Sequence, residues 1–364
     1  MTDHSTARGG WPLGRRAFLQ AGLALPLGTA AASARFSPTD VRIFDVDVEL
    51  DVADASGEVR VWVPLPLERA AAYQRVVTQR WTASTQVLGR HLDATGVSML
   101  VASWPDTSAP RRLSLTTRIE TTPYRVSLEP HAGLPESSQT LARYLAPTAL
   151  IPTDGIVRTT ALDIVKGHST PLARARAIYE WIVDNTFRDP AVKGCGLGDI
   201  RWMLESRSFG GKCADLNALF VGLCRSVGLP ARDLYGLRVG ASRSFKSLGR
   251  DGDVTASQHC RAEVYVAGLG WIPVDPADVR KVALEEEPGA PVSAPHVRRA
   301  RAEMFGSWEM NWMAFNDGHD VVLPGSRGKP LPFLMYPQAE VDGVRKDSLE
   351  PATFTYRITA KEVR

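Results

Sequence analysis

The stretch Gly210–Asn217, with the sequence GGKCADLN, decides the fold of this chain, because a helical pattern begins directly behind its two glycines. The apolar residues that follow recur at the spacing of one helix face, and they are Leu216, Leu219, Phe220, Leu223, Cys224 and Val227. Gly228 and Pro230 then predict the end of the helix. The pattern therefore predicts a buried helix with Cys213 in its first turn.

A cysteine in the first turn of a helix is well placed to act as a nucleophile. The partial positive charge at a helix N-terminus stabilises a thiolate and lowers the pKa of the thiol. The other interpretation of Cys213 is a small buried core residue, since free cysteine is commonly buried. This stretch alone leaves both interpretations open.

Residues 258–276 predict two strands joined by a turn that is rich in glycine. His259 opens the first strand and Asp275 closes the second, 16 residues later along the chain. A hairpin can bring the carboxylate of Asp275 beside the imidazole of His259 and orient it. The imidazole can then deprotonate the thiol of Cys213, which is the logic of an activated nucleophile in acyl transfer.

These motifs, in this order, resemble those of the transglutaminase-like superfamily, whose core has a papain-like fold. The family shows Gly-x-Cys at a helix start, a GIPAR segment after the helix, a histidine opening a strand, and GW.PVDP carrying the aspartate. This chain has GKC at 211–213, GLPAR at 228–232, a histidine at 259, and GWIPVDP at 270–276. The similarity spans about residues 160–280.

The resemblance implies a cysteine-dependent acyl transfer on a protein or peptide amide. Cys213 would be the nucleophile that forms a thioester, His259 the base and Asp275 the orienting acid. Water as the acceptor would make the enzyme a peptidase or amidase, and an amine would make it a transglutaminase. Gln258 and Trp181 are candidates for the second hydrogen-bond donor to the oxyanion, although we favour a packing role for Trp181, because large aromatic residues usually belong to the core.

The alternative function is a non-catalytic peptide- or protein-binding module on the same fold, in which the three residues would be vestigial. A thiol redox protein is not supported, because the chain has no CxxC motif. Cys195 and Cys260 can be read as a disulfide pair in an oxidising compartment, whereas Cys224 falls on the apolar helix face and reads as a core residue.

Composition limits the other function classes. The 364 residues suffice for two domains, and the formal net charge is +3. Beyond residue 34 the chain has 40 basic and 39 acidic residues, so its charge gives no reason to expect nucleic-acid binding. No GxxxxGK[ST] or GxGxxG motif occurs. We expect no cofactor and no metal, and the sequence leaves the oligomeric state open.

Residues 1–34 read as a twin-arginine (Tat) signal peptide. Arg15 and Arg16 are followed by an apolar run, and Ala32–Ala34 fits the rule for signal cleavage between small residues. The run is too weakly hydrophobic for a membrane anchor, and no later stretch reaches the ~18 apolar residues of a span. We therefore expect a periplasmic or secreted bacterial protein with no membrane span in the mature chain.

The organisation that we predict is α+β, with a transglutaminase-like core behind an N-terminal antiparallel β-domain. Alternating apolar residues place a β-sandwich-like domain at 38–129. A linker rich in proline follows at 130–150, and the catalytic core is expected at 151–280. Residues 281–364 are expected to pack on the core and the β-domain, and the alternation at 352–358 predicts a strand that returns to a sheet.

Overall fold

The computed structural model describes residues 41–52, 57–68, 72–85, 87–105, 110–129, 135–350 and 354–363. The predicted signal peptide at 1–34 lies outside the described residues. The boundaries that we predict between domains, at 38–129, 130–150, 151–280 and 281–364, stay predictions, since residues 36–364 form one compact unit.

Seven α-helices lie within the described residues. They are α1 (Ser138–Arg143), α2 (Gly155–Ile164), α3 (Pro171–Asn185), α4 (Ile200–Ser206), α5 (Cys213–Ser226), α6 (Pro276–Glu285) and α7 (Pro295–Glu303). None of the helices in this part of the chain is both long enough and apolar enough to cross a membrane.

Eighteen strands accompany the helices in the same ranges. They are β1 (Arg42–Asp51), β2 (Val59–Pro64), β3 (Gln74–Ala83), β4 (Val87–Leu92), β5 (Ser98–Trp104), β6 (Arg112–Thr121), β7 (Tyr124–Arg125), β8 (Phe187–Arg188), β9 (Gly210–Gly211), β10 (Ala231–Arg238), β11 (Gly252–Asp253), β12 (Gln258–Val266), β13 (Gly270–Val274), β14 (Ser307–Trp308), β15 (Trp312–Asn316), β16 (Gln338–Val341), β17 (Val344–Arg345) and β18 (Thr355–Val363).

Two five-stranded antiparallel sheets combine strands from both ends of the chain. Their strand orders are β11-β18-β1-β6-β3 and β17-β16-β2-β5-β4. The alternating residues Val46, Val48 and Leu50 of β1 are buried, and they share one apolar cluster with Val59 and Val61 of β2. The C-terminal strand β18 pairs with β1 along its whole length, so the predicted return to a sheet is confirmed for residues 355–358, while residues 352 and 353 lie outside the described residues.

A four-stranded antiparallel sheet, ordered β13-β12-β10-β15, forms the centre of the helical half. Helix α5 packs against β12 of this sheet and is buried on nearly every side. It ends where the sequence predicts, because Gly228 adopts a positive φ of 82° behind it. The fold is therefore α+β, with a sheet-rich N-terminal region, as the sequence predicts.

Candidate active site

Cys213 is the first residue of α5, and the approach to it is held by the carboxylate of Asp215. That carboxylate accepts the backbone N–H of Lys212 at 2.9 Å, of Leu197 at 3.0 Å and of Gly198 at 2.9 Å. A Cβ on Gly211 would lie 2.7 Å from the Cβ of Asp215, so the close approach requires glycine. The turn before α5 and the loop at 195–198 are thereby fastened together around the cysteine.

The thiol of Cys213 is buried among groups that favour its ionised form. Hydrogen bonding from Cys195, then from Cys260 and His259, holds the pKa of Cys213 well below its ordinary value, although burial opposes the shift. The pKa values of Cys195 and Cys260 are raised well above the ordinary range, through their bonds to Cys213 and through burial. These two thiols therefore stay protonated beside a thiolate, and all four cysteines of the chain are free.

His259 opens β12 and bonds through one ring nitrogen to the acidic end of the next strand. Its Nε2 lies 2.8 Å from Oδ2 of Asp275 and 3.4 Å from Oδ2 of Asp278. Burial and Arg238 lower the pKa of His259, but the two carboxylates outweigh them and raise it to about 9. Because Nε2 is engaged with the carboxylates, Nδ1 is the ring nitrogen that remains for exchange of a proton with the thiol.

Further side chains fix the two carboxylates. Asp275 caps α6 by accepting the N–H of Asp278 at 3.0 Å through Oδ1, so one oxygen serves the helix and the other serves the imidazole. Asn217, one turn after Cys213, donates to the carbonyl of Cys260 at 2.8 Å and to Oδ1 of Asp275 at 3.4 Å. Helix α5, β12 and Asp275 are thus connected by one buried amide.

Two buried arginines balance the negative charge of this cluster. Arg238 forms an ion pair with Asp278, and Nε of Arg261 lies 3.5 Å from Oδ2 of Asp275. The pKa of Asp278 is well below its usual range because Arg238 and His259 outweigh burial, whereas burial and Asp278 raise the pKa of Asp275. Both acids are 2 % exposed or less, so they interact with each other and with His259 through protein rather than water.

The two candidate oxyanion donors differ in where they lie. Gln258 is buried at the wall of the same cleft as Cys213 and His259, and its Nε2 has no hydrogen-bond partner. Trp181 is partly buried in α3, where its ring packs edge-on against Phe209 at 5.8 Å. Trp181 does not line that cleft, so of the two sequence candidates only Gln258 is brought to Cys213.

The cleft itself has a volume of about 660 Å³. It lies between the start of α5, the start of β12 and the loop before β12, with the C-terminal segment closing one side. A volume of this size is within the range of small-molecule and peptide side-chain pockets. Cys213 and His259 both line it, so a bound amide can reach both groups.

One group of possible metal ligands lies among the described residues. The ligand atoms of His259, Asp275 and Asp278 lie within 4.8 Å of one another and are buried. Arg238 and Arg261 already neutralise the two carboxylates at this point. This charge balance favours a proton on His259 over a divalent cation, because an added cation would meet two buried guanidinium groups.

Several residues that support the site could not be predicted from the sequence. Asp278 is three residues beyond Asp275, where an acid in a first helical turn reads only as a favourable dipole interaction. Asn217 is a polar residue among apolar helix positions, which is a usable signal, because a buried amide needs partners. Tyr336 lines the cleft from a segment 123 residues after Cys213, and no local pattern connects the two.

Comparisons with known proteins identify the family and the fold. Residues 158–276 match the family described as the transglutaminase-like superfamily. A Haemophilus influenzae protein, described as uncharacterized, is 34% identical over 353 residues, which cover 89% of this chain and 93% of that protein. The fold is similar to that of a protein described as "a Putative Cysteine Protease from Cytophaga hutchinsonii", with a TM-score of 0.50, 14% identity, and coverage of 88% and 98% of the two chains.

The fold and the family match together define a mixed helix-and-sheet protein with a transglutaminase-like core. The chain belongs to the transglutaminase-like superfamily.

Proposed function

We propose that this chain is a cysteine-dependent acyl-transfer enzyme that acts on a protein or peptide amide. The observation that carries the proposal is the 2.8 Å contact between Nε2 of His259 and Oδ2 of Asp275, in a cluster that lowers the pKa of Cys213. At neutral pH this arrangement favours a thiolate at Cys213 and an imidazolium at His259. Such a pair is an activated nucleophile beside a proton donor.

The reaction follows from the positions of these groups. The Cys213 thiolate attacks the carbonyl carbon of the amide, and the negative charge moves to the carbonyl oxygen. The backbone N–H at the start of α5 and Nε2 of Gln258 are the donors for that oxyanion. When the C–N bond breaks, the proton on Nδ1 of His259 passes to the leaving amine and a thioester remains.

The second half of the reaction returns the enzyme to its resting state. Water or an amine attacks the thioester while neutral His259 accepts its proton, and Cys213 leaves as the thiolate. Water as the acceptor gives hydrolysis, and an amine gives transamidation. A mass spectrum of the protein after incubation with a periplasmic peptide library tests for the thioester, and its added mass identifies the acyl donor.

The pH dependence of thiol alkylation tests the proposed ion pair without a substrate. We expect iodoacetamide to modify wild-type Cys213 with a midpoint well below the ordinary thiol value of about 8.5. His259→Ala should move this midpoint upward, because the imidazolium that stabilises the thiolate is lost. The rate is measured on the peptide that contains Cys213, and the slow alkylation of the fully buried Cys224, whose pKa burial raises, is the internal control.

The opposite outcome is equally definite. A wild-type Cys213 that titrates like a free thiol, together with a His259→Ala variant that titrates identically, would show that these residues are not a catalytic pair. The chain would then be better described as a peptide-binding module on a transglutaminase-like fold.

We also propose that the chain is exported by the twin-arginine route. Replacing Arg15 and Arg16 together by lysine should leave the full-length precursor in the cytoplasm, because the translocase reads the arginine pair. Cell fractionation and immunoblotting measure the distribution. Arg8→Lys, in the same segment but outside the pair, is the matched control and should leave export intact. Undiminished release of mature-sized protein from the double variant would exclude this route.

A further inference from the structure

The cleft beside Cys213 is strongly cationic. Seven basic side chains line it, against a single carboxylate, Glu285. Three of the seven, Lys212, Lys246 and Arg250, have no acidic partner within 4.0 Å among the described residues. Each of these three therefore directs an uncompensated charge toward the cleft or its rim.

The other four basic side chains are paired. Arg188 and Lys281 share Glu285, at 2.8 and 3.6 Å. Arg238 pairs with Asp278, and Lys193 pairs with Asp347. Three carboxylates thus offset three of the seven positive charges, which leaves an excess of four around the cleft.

Two further carboxylates, those of Glu286 and Glu350, lie close to this region. Glu286 accepts the backbone N–H of Ser247, next to Lys246, and Glu350 is one of the acids that raise the pKa of Lys193. Together they lower the excess of four by at most two charges, so the cleft keeps its positive character.

This excess is a local feature. Beyond residue 34 the whole chain has only one more basic than acidic residue, so the charge is concentrated where Cys213 is reached. Activation of the thiol does not require all of it, because Cys195, Cys260 and His259 already lower the pKa of Cys213. Lys246 and Arg250 are exposed side chains of the loop before β12, where a ligand can meet them.

The facing wall of the cleft is of different character. The C-terminal segment contributes Leu349, Phe354 and Tyr356 to it. A ligand that satisfies both walls carries negative groups on one side and an apolar group on the other. Low-dielectric walls that converge on one sign of charge also concentrate ligands of the opposite sign.

We propose, on the basis of the proposed function, that the cleft selects acidic peptides as acyl donors. Carboxylate side chains near the attacked amide bind the basic groups, and an apolar neighbour packs on the C-terminal wall. A peptide fits better than a nucleic acid, because the cations are gathered around a nucleophile that attacks amides. A nucleic-acid site instead needs them spread along a groove with exposed stacking rings, whereas Phe354 and Tyr336 of this cleft are buried and Tyr356 is partly buried.

Binding to a protein without the nucleophile tests this proposal. Two labelled hexapeptides with blocked ends, one alternating Leu and Glu and the other Leu and Gln, are titrated into the Cys213→Ala protein by fluorescence anisotropy. We expect the Glu peptide to bind at least about 10-fold more tightly in low salt, and the advantage to shrink at about 0.5 M NaCl as screening increases. Equal affinities, or an advantage that salt does not change, would overturn the proposal.

A pair of charge-matched variants locates the effect. Lys246→Gln with Arg250→Gln should reduce the preference for the Glu peptide by about 3- to 10-fold, in line with two lost charge contacts. Lys166→Gln with Lys329→Gln removes the same charge from exposed positions outside the cleft and should leave the preference within about twofold. Equal losses in both variants would assign the preference to the field of the whole chain and overturn the proposal.

A third titration tests whether the cleft binds a nucleic acid instead of an acidic peptide. A labelled six-nucleotide oligothymidylate should bind less tightly than the Glu peptide, and tighter binding would replace the peptide by a nucleic acid. These titrations need no chemistry at Cys213, so they fail independently of the alkylation experiment. If the protein prefers the Glu peptide but Cys213 is unreactive, only the proposed enzymatic activity is contradicted. If Cys213 is reactive but the protein has no preference for the Glu peptide, only the proposed substrate class is contradicted.

Discussion

Cys213→Ala should abolish turnover, with a loss of about four orders of magnitude or more, because alanine cannot form the thioester on which both half-reactions depend. The substrate for this measurement is the acylating peptide that the mass spectrum identifies. Cys213 is only 4 % exposed and starts a helix that other residues hold in place, so removal of its sulfur should leave the fold intact. Thermal unfolding of the variant checks this.

The matched control is Cys224→Ala, in the same helix. Cys224 is fully buried on the apolar face, where burial raises the pKa of its thiol, and it does not line the cleft. This variant should lose about 1 kcal/mol of stability through the small cavity that it creates, with kcat unchanged. Retention of more than about 1% of turnover by Cys213→Ala would contradict its assignment as the nucleophile.

The parts of the fold that sequence could predict are those encoded locally. Helix α5 follows from apolar spacing and a terminal glycine, and the hairpin β12–β13 follows from two β-rich runs around a glycine turn. His259 lies in strand β12 of this hairpin, and Asp275 is the residue directly after strand β13. Because the two residues are only 16 positions apart and belong to one local motif, their contact could be predicted from the sequence.

The remaining parts depend on contacts between distant segments. Pairing of β1 with β18 joins Ile43 to Val363, and nothing in the alternation of either strand specifies that partner. The cationic cleft likewise collects Arg188, Lys246 and Lys281 from three separate elements. Side-chain convergence of this kind becomes visible only after the tertiary fold is known.

The positions of Cys195 and Cys260 beside Cys213 could be predicted only in part from the sequence. The sequence allowed a disulfide between Cys195 and Cys260, and it offered no reason to associate either with Cys213. In the structure both thiols are free and both interact with the sulfur of Cys213. Cys195 reaches it because the N–H of Ala214 bonds to the carbonyl of Cys195 at 2.9 Å, a contact across a loop.

Asp275→Asn should lower turnover by about 10- to 1,000-fold, less than the roughly four orders seen for the equivalent change in a serine protease, since a preformed ion pair depends less on the acid. Asp275 accepts a hydrogen bond from His259 through Oδ2, and through Oδ1 it accepts from the N–H of Asp278 and from Asn217. Asparagine has one oxygen where the carboxylate has two. If its oxygen keeps the helix cap, its NH₂ faces Nε2 and stabilises the tautomer with the proton on Nδ1, which cannot accept the thiol proton.

The matched control for that variant is Asp233→Asn, another buried aspartate in the core sheet. Burial raises the pKa of Asp233 to about 7, and its Oδ2 lies 3.5 Å from Nε2 of His319. Below neutral pH the amide of the variant therefore replaces a carboxyl group that is already mostly protonated. We expect turnover of this variant to stay within about twofold of wild type.

The variant Asp278→Asn distinguishes the role of Asp278 from that of Asp275. The carboxylate of Asp278 lies 3.4 Å from Nε2 of His259 and pairs mainly with Arg238. A greater loss of kcat in Asp278→Asn than in Asp275→Asn, with both variants folded by thermal unfolding, would transfer the orienting role to Asp278.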